Sequence, residues 1–240
     1  MFRHLFEDFI DLVFPRNCVL CRSYAPATDK DPLCPACQAK IPYNHPPFCA
    51  RCSRHLKNFS KEGLCPDCQK RIPDFDLAWG FTLYDPPLPQ LIQDFKFRNK
   101  TALRKTFSTI SQTFLARYRL RLRGYDGLIP MPLTPVRLRE RGYNQALLLA
   151  ESLSQVTGIP CLTDILSREK NAPQQSTLGE KERWTNVKGA FKINSRSSVK
   201  DKEYIVVDDL LTTGATASEA AKTLKKAGAA RVGVIAFSIA

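Results

Sequence analysis

Two acidic residues stand side by side in YIVVDDLLTTGAT (204–216), directly behind four strand-forming residues. Adjacent carboxylates repel, so Asp208 and Asp209 need a neighbour that relieves the repulsion: a metal ion, or a group that donates hydrogen bonds. A Thr- and Gly-rich run then opens a helix. The first amides of a helix have no internal carbonyl partners, and the helix dipole adds positive character there. Thr212, Thr213 and Thr216 add hydroxyls and Gly214 permits close backbone approach, so Leu211–Thr216, with Ala215 inside it, reads as an anion cradle. A phosphorylated sugar meets both demands, with phosphate in the loop and a diol carrying Mg²⁺ on the acids.

A second chemistry lies near the N-terminus. Eight of the nine cysteines form four CxxC pairs: Cys18/Cys21, Cys34/Cys37, Cys49/Cys52 and Cys65/Cys68. The first four recur 31 residues later, which marks an internal duplication. Eight cysteines could build a disulfide framework, but no secretory signal precedes them, and CxxC knuckles suit a metal better. Two knuckles complete a closed tetrahedral zinc site, so two structural Zn²⁺ sites are expected. Sequential pairing puts 18, 21, 34 and 37 on one ion and 49, 52, 65 and 68 on the other. Cross-bracing is the alternative; the duplication favours the sequential arrangement. Cys161 stands alone and reads as a small buried residue.

Elements must position these groups. Prolines crowd the cysteine region and argue against long helices there. From about Leu77 the pattern changes to strands alternating with helices: strands at 77–84, 126–131, 204–207 and 231–237, helices at 88–95, 101–118, 144–156 and 216–226. The alternation predicts a parallel α/β sheet, with the acids at the carboxyl end of a strand where such sheets bind ligands. The predicted organisation is an N-terminal helix and double zinc-binding domain over 1–75, and a second domain over 76–240. The N-terminal 14 residues carry apolar residues at helical spacing, broken by Glu7, Asp8 and Asp11. They read as an amphipathic helix packed on the protein, with a membrane-surface helix less favoured because the polar face is more acidic than basic. No run is apolar enough to span a bilayer.

The formal charge of +13 is concentrated in the middle of the chain. Lys96, Arg98, Lys100, Arg104, Lys105, Arg117, Arg119, Arg121 and Arg123 follow one another with no acidic residue between them. Such a field attracts polyanions, whether phosphorylated small molecules, pyrophosphate or nucleic acid.

The stretch 204–216 resembles the signature of the type I phosphoribosyltransferases. The resemblance implies that the acids contact ribose hydroxyls and that the loop holds the 5-phosphate of phosphoribosyl pyrophosphate (PRPP), with Mg²⁺. The pyrophosphate then needs cations, and PMPLTPVRLRERGYNQ (130–145) offers Arg137, Arg139 and Arg141. A polar segment, 167–191, corresponds to a loop that closes over PRPP in that family, with Arg168, Lys170, Gln175 and Arg183 as candidates. With a CxxC-rich module in front, the chain resembles the ComF family, through FPRNCVLC, LYDPPLPQLIQDFKFR (83–98), MPLTPVRLRERGYNQA and PQQSTLGEKERWTNVKGAF. That resemblance implies a role in natural competence, the uptake of transforming DNA as single strands into the cytoplasm, with a helicase-like ComFA translocase as a partner in some bacteria. The basic segment fits a single-strand path, with Phe95, Phe97 or Tyr118 available to stack bases. An active transferase is the alternative, passing ribose 5-phosphate to an unidentified nitrogen acceptor. Asp208 and Asp209 would then be the catalytic candidates, and the zinc module could form the hood over the acceptor. A transcription regulator is disfavoured, since no helix-turn-helix pattern stands out.

Overall fold

The fold was obtained as a computed structural model that describes residues 17–24, 31–56, 63–169, 180–194 and 199–240. The predicted N-terminal helix, Lys170 and Gln175 lie outside the described residues.

The main sheet has four parallel strands in the order β1–β6–β5–β2: β1 is Leu77–Leu83, β2 Gly127–Pro130, β5 Glu203–Leu211 and β6 Arg231–Ile239. A separate antiparallel pair joins β3 (Leu166–Arg168) to β4 (Phe191–Ile193). Both faces of the main sheet are covered, which explains the near-continuous apolar runs in β5 and β6. Along β5, Ile205 and Val207 face one core with Phe81, Phe95, Phe107 and Leu149, while Tyr204 and Val206 face the other with Ala220, Leu224 and Ile165.

The helices follow the expected periods. In α3 (Leu88–Phe97), Leu88, Leu91, Ile92 and Phe95 are buried. A 3₁₀ turn at Thr101–Leu103 leads into α4 (Arg104–Arg117), which buries Phe107, Ile110 and Phe114. Helix α6 (Gln145–Thr157) buries Ala146, Leu149, Ala150 and Leu153 and stops at Gly158, whose φ is 76°. Helix α8 (Ala215–Lys226) buries its alanine stripe and Leu224.

Two departures from the sequence reading matter for the site. Strand β5 runs through Leu211, so Asp208 and Asp209 lie within its ladder and Asp208 pairs in register with Ala236. The stretch 130–145 contains a short helix, α5 (Pro135–Arg141), capped by the Thr134 side chain; none of its residues is buried, so no apolar period announced it.

Among the described residues the cysteine region holds two short helices, α1 (Pro35–Gln38) and α2 (Pro66–Lys70). It packs along β1 and satisfies what would otherwise be an open sheet edge. The Asn44 amide donates to the Phe81 carbonyl at 3.0 Å, Leu83 to Pro42 at 2.8 Å and Ala78 to Arg51 at 2.8 Å. The buried Asn44 side chain ties the two parts together, donating to the Ser53 carbonyl at 2.8 Å and the Gly80 carbonyl at 3.0 Å. The cysteines of each ribbon join a different sheet face: Cys18 and Cys37 sit in the core with Phe81, and the second four in the core with Phe75 and Leu211.

Candidate phosphate and carboxylate site

The loop between β5 and α8 is built as a cradle. Gly214 caps α8 with φ 76°, a conformation that glycine adopts at no steric cost. The Ala215 amide is taken by Thr213 Oγ1 at 3.4 Å. Loop and acids border one cavity of about 590 Å³, whose wall includes every residue from Asp208 to Ala217.

Asp209 is buried and its Oδ1 is 2.8 Å from Lys96 Nζ. Asp208 is half-buried and accepts from the Asp209 amide at 2.9 Å. Burial and the Asp209 charge push the Asp208 carboxyl up to about 7, against the opposing pull of Lys96. Facing the acids are Arg137 and Arg141 from α5, Arg168 from β3 and Arg183 from α7 (Glu180–Asn186). Burial and the Arg137 charge both disfavour the charged form of Arg168, and its buried Nε has no hydrogen-bond partner among the described residues. Arg168 stands over the Phe191 ring, with its carbon 5.5 Å from the centroid. Arg141 donates to Gln145 Oε1 at 2.9 Å and lies over the exposed Phe97 ring at 4.9 Å. Guanidiniums that line one cavity suit an anion with several oxygens.

The structure sorts the basic residues differently from the sequence. Lys96 belongs to the carboxylate site and not to an outer path. Arg98 and Lys100 bind the fully buried Asp94, at 3.0 and 2.8 Å, and so close the end of α3. Arg104, Lys105, Arg117, Arg119, Arg121 and Arg123 are exposed. Arg139 is exposed and does not line the cavity. Of the aromatics, Phe95 is fully buried in the core and cannot stack a base. Tyr118 is packed edge-on against Phe48 and donates to the Asn44 carbonyl at 3.1 Å. Phe97 remains exposed. Sequence reasoning did not single out Gln145, whose side chain donates to the Lys96 carbonyl at 3.3 Å and thereby joins α6 to the end of α3.

The cysteines form two groups, 18/21/34/37 and 49/52/65/68, with all four sulfurs of each within 4.8 Å of one another. The sequential pairing therefore holds. A tetrahedral Zn²⁺ at about 2.3 Å from each sulfur sets the sulfurs about 3.8 Å apart. Cys21 to Cys34 and Cys52 to Cys65 both measure 3.6 Å. The donor sets fit zinc, and four thiolates leave no open position, so the metal is structural. A further cavity of about 300 Å³ lies between the second ribbon and the loop, bordered by Phe75, Trp184 and Leu211–Gly214.

Residues 9–72 match the double zinc ribbon domain, and residues 144–238 match the phosphoribosyl transferase domain. Competence protein F of Haemophilus influenzae is 36% identical over 154 residues, covering 63% of this chain and 67% of that protein. The chain belongs to the ComF family. DNA utilization protein YhgH of Escherichia coli K12 is 31% identical, over 63% of this chain and 66% of its own length. Competence protein ComFC of Bacillus subtilis is 33% identical, over 61% of this chain and 57% of its own length. The aligned part thus spans about two thirds of the first two relatives and less of the third. Among the described residues, no helix of this ComF protein is long and apolar enough to cross a membrane.

Proposed function

We propose that this ComF protein binds PRPP with Mg²⁺ in the 590 Å³ cavity and serves, in the cytoplasm, the handling of incoming single-stranded DNA during natural transformation. The observation that carries the ligand is the opposition of Asp208 and Asp209 to Arg137, Arg141, Arg168 and Arg183 across one cavity, beside the amides that open α8. In this reading Thr212–Thr216 hold the 5-phosphate, the acids take the ribose hydroxyls, and the arginines take the pyrophosphate. Lys96 supplies Asp209 with counter-charge, a role that ribose hydroxyls or a metal ion would share. Asp208 and Asp209 would hold the Mg²⁺, which would supply charge neutralisation for the bound phosphates. The orphaned Arg168 Nε supports an anion at that end, because a buried donor without a partner costs about 1–3 kcal/mol. The names of the Haemophilus and Bacillus relatives support the competence role, and the exposed basic residues of α4 and the segment after it support a strand path. A ComFA-like ATPase is the proposed protein partner.

Calorimetry with PRPP and Mg²⁺ tests the ligand. The chain should bind, and Asp208→Ala with Asp209→Ala should abolish binding; equal affinity in the double variant refutes the assignment. A second reading, an active transferase, is favoured by the 300 Å³ cavity that shares Leu211–Gly214 with the first, since an acceptor must adjoin the donor. Pyrophosphate release from PRPP across a panel of amines and nitrogen bases distinguishes the two.

A further inference from the structure

The two ribbons repeat down to their hydrogen bonds. The Cys18 amide donates to the Ser23 carbonyl at 2.8 Å, and the Cys49 amide to the Arg54 carbonyl at 2.8 Å. The Cys34 amide reaches Cys18 Sγ at 3.4 Å, and the Cys65 amide reaches Cys49 Sγ at 3.2 Å. Gln38 donates to the Leu33 carbonyl, and Gln69 to the Leu64 carbonyl. Arg22 and Ser53 share left-handed φ values of 62° and 64°. Against this background the copies differ where the second one meets the loop. Arg54 stands at the position of Ser23, and Asp67 at the position of Ala36.

The Arg54 guanidinium is ion-paired with Asp67. Its Nη2 donates to the Thr212 carbonyl at 2.9 Å, and its Nε to the Ala240 carbonyl at 3.1 Å. The Ala240 amide in turn donates to the Leu211 carbonyl at 3.0 Å. One guanidinium therefore joins both knuckles of the second site to the start of the phosphate loop. It reaches Cys49 through its own backbone, and it reaches the Cys65/Cys68 knuckle through Asp67.

We propose that Arg54 is a positioning residue through which zinc in the second ribbon sets the geometry of Thr212–Gly214, and with it affinity for the phosphoribosyl ligand. The affinity part rests on the PRPP reading above. The metal fixes the spacing of the two knuckles, and so the spacing of Arg54 and Asp67. Without it, the Thr212 carbonyl loses a charged donor held in register. Coupling of this kind is reciprocal, so the ligand must tighten zinc by the factor by which zinc tightens the ligand. The first ribbon has neither partner residue and carries no such coupling.

The test compares Arg54→Ala, Arg54→Lys and Asp67→Asn with Gln69→Ala, which removes a bond inside the ribbon without touching the loop, all in the zinc-loaded full chain. Amide hydrogen exchange is measured without sugar ligand. Exchange at 211–216 should rise in Arg54→Ala and in wild type treated with a zinc-selective chelator. It should rise less in Asp67→Asn, be partly restored in Arg54→Lys, and stay unchanged in Gln69→Ala. Calorimetry with PRPP and Mg²⁺ should show about a tenfold loss in Arg54→Ala, the size expected for a hydrogen bond from a charged donor. Chelation should weaken wild type far more than it weakens Arg54→Ala. Unchanged exchange at 211–216 in Arg54→Ala, or the same loss on chelation in both proteins, overturns the proposal. Should Arg54→Ala fail to retain zinc, unchanged exchange in Asp67→Asn overturns it equally. If wild type binds no PRPP, the ligand assignment fails, and the exchange data alone decide the role of Arg54.

Discussion

Asp208 titrates where its neighbours put it. Burial and the charge of Asp209 raise its carboxyl to about 7, so the proton stays on through mildly acidic pH. A raised carboxyl means that the folded state binds more protons than the unfolded one between the ordinary carboxylate range and 7. Folding stability must therefore fall as pH rises through that window. Urea midpoints should decline from acid toward neutral pH in wild type and stay flatter in Asp208→Asn; parallel profiles would remove the assignment. The proposed ligand binding should run the other way, because a metal ion would need the carboxylate. Magnesium-dependent PRPP affinity should rise by about tenfold between ~pH 6 and ~8, tracking the ionised fraction, and the Asp208→Asn profile should lack that component. Arg168→Ala removes an orphaned buried donor together with the proposed pyrophosphate contact. It should leave the melting temperature nearly unchanged while lowering PRPP affinity at least tenfold, read by calorimetry. The twin acids and the Thr–Gly loop were legible in the sequence because one continuous stretch carries all their chemistry. Lys96 was not, since its side chain meets Asp209 only through the packing of α3 against the end of β5.

At the scale of elements, periodicity identified what the core imposes and missed what it does not. Helices α3, α4, α6 and α8 were legible because each buries one face. Helix α5 buries nothing and is held by the Thr134 cap, so Arg137, Arg139 and Arg141 looked like loop residues. Their helical spacing explains why two of the three line the cavity while Arg139 is turned away. The turn before α8 was legible for a different reason: Gly214 has a left-handed φ of 76°. An added Cβ there would meet only the Phe75 ring, at the ordinary contact distance of 3.6 Å. The cost of Gly214→Ala is therefore conformational, about 1–2 kcal/mol for a left-handed non-glycine residue. A loss of roughly 2–8 °C in melting temperature should follow for a chain of this size. Because the strain falls on the cradle itself, PRPP affinity should fall in the same variant; a chain that melts earlier yet binds equally well would separate the loop from the ligand.

At the scale of the molecule, the proposed boundary between 75 and 76 divides the chain but not its cores. Each ribbon contributes cysteines to a different face of the same sheet, and the module fills the hydrogen bonds of the β1 edge. The charge is divided more cleanly. Lys96, Arg137, Arg141, Arg168 and Arg183 face the cavity, Arg98 and Lys100 serve Asp94, and Arg104, Lys105, Arg117, Arg119, Arg121 and Arg123 remain exposed outside it. The sequence showed the total field but not this division, which depends on tertiary pairing. If the outer set tracks a single strand, each phosphate contact releases condensed counterions. Log affinity then falls with log salt at a slope of about −0.7 per contact. Replacing Arg117, Arg119, Arg121 and Arg123 together by Glu should weaken binding of an unstructured oligonucleotide and flatten that slope by roughly two to three units. PRPP affinity should stay within a factor of about two, since none of the four lines the cavity. The reverse substitution set, Arg137→Ala with Arg168→Ala, should cost PRPP binding and leave the salt slope for DNA intact. An oligonucleotide slope that responds only to the cavity arginines would mean that the strand enters the PRPP site itself, and that the exposed arginines merely solvate the end of α4.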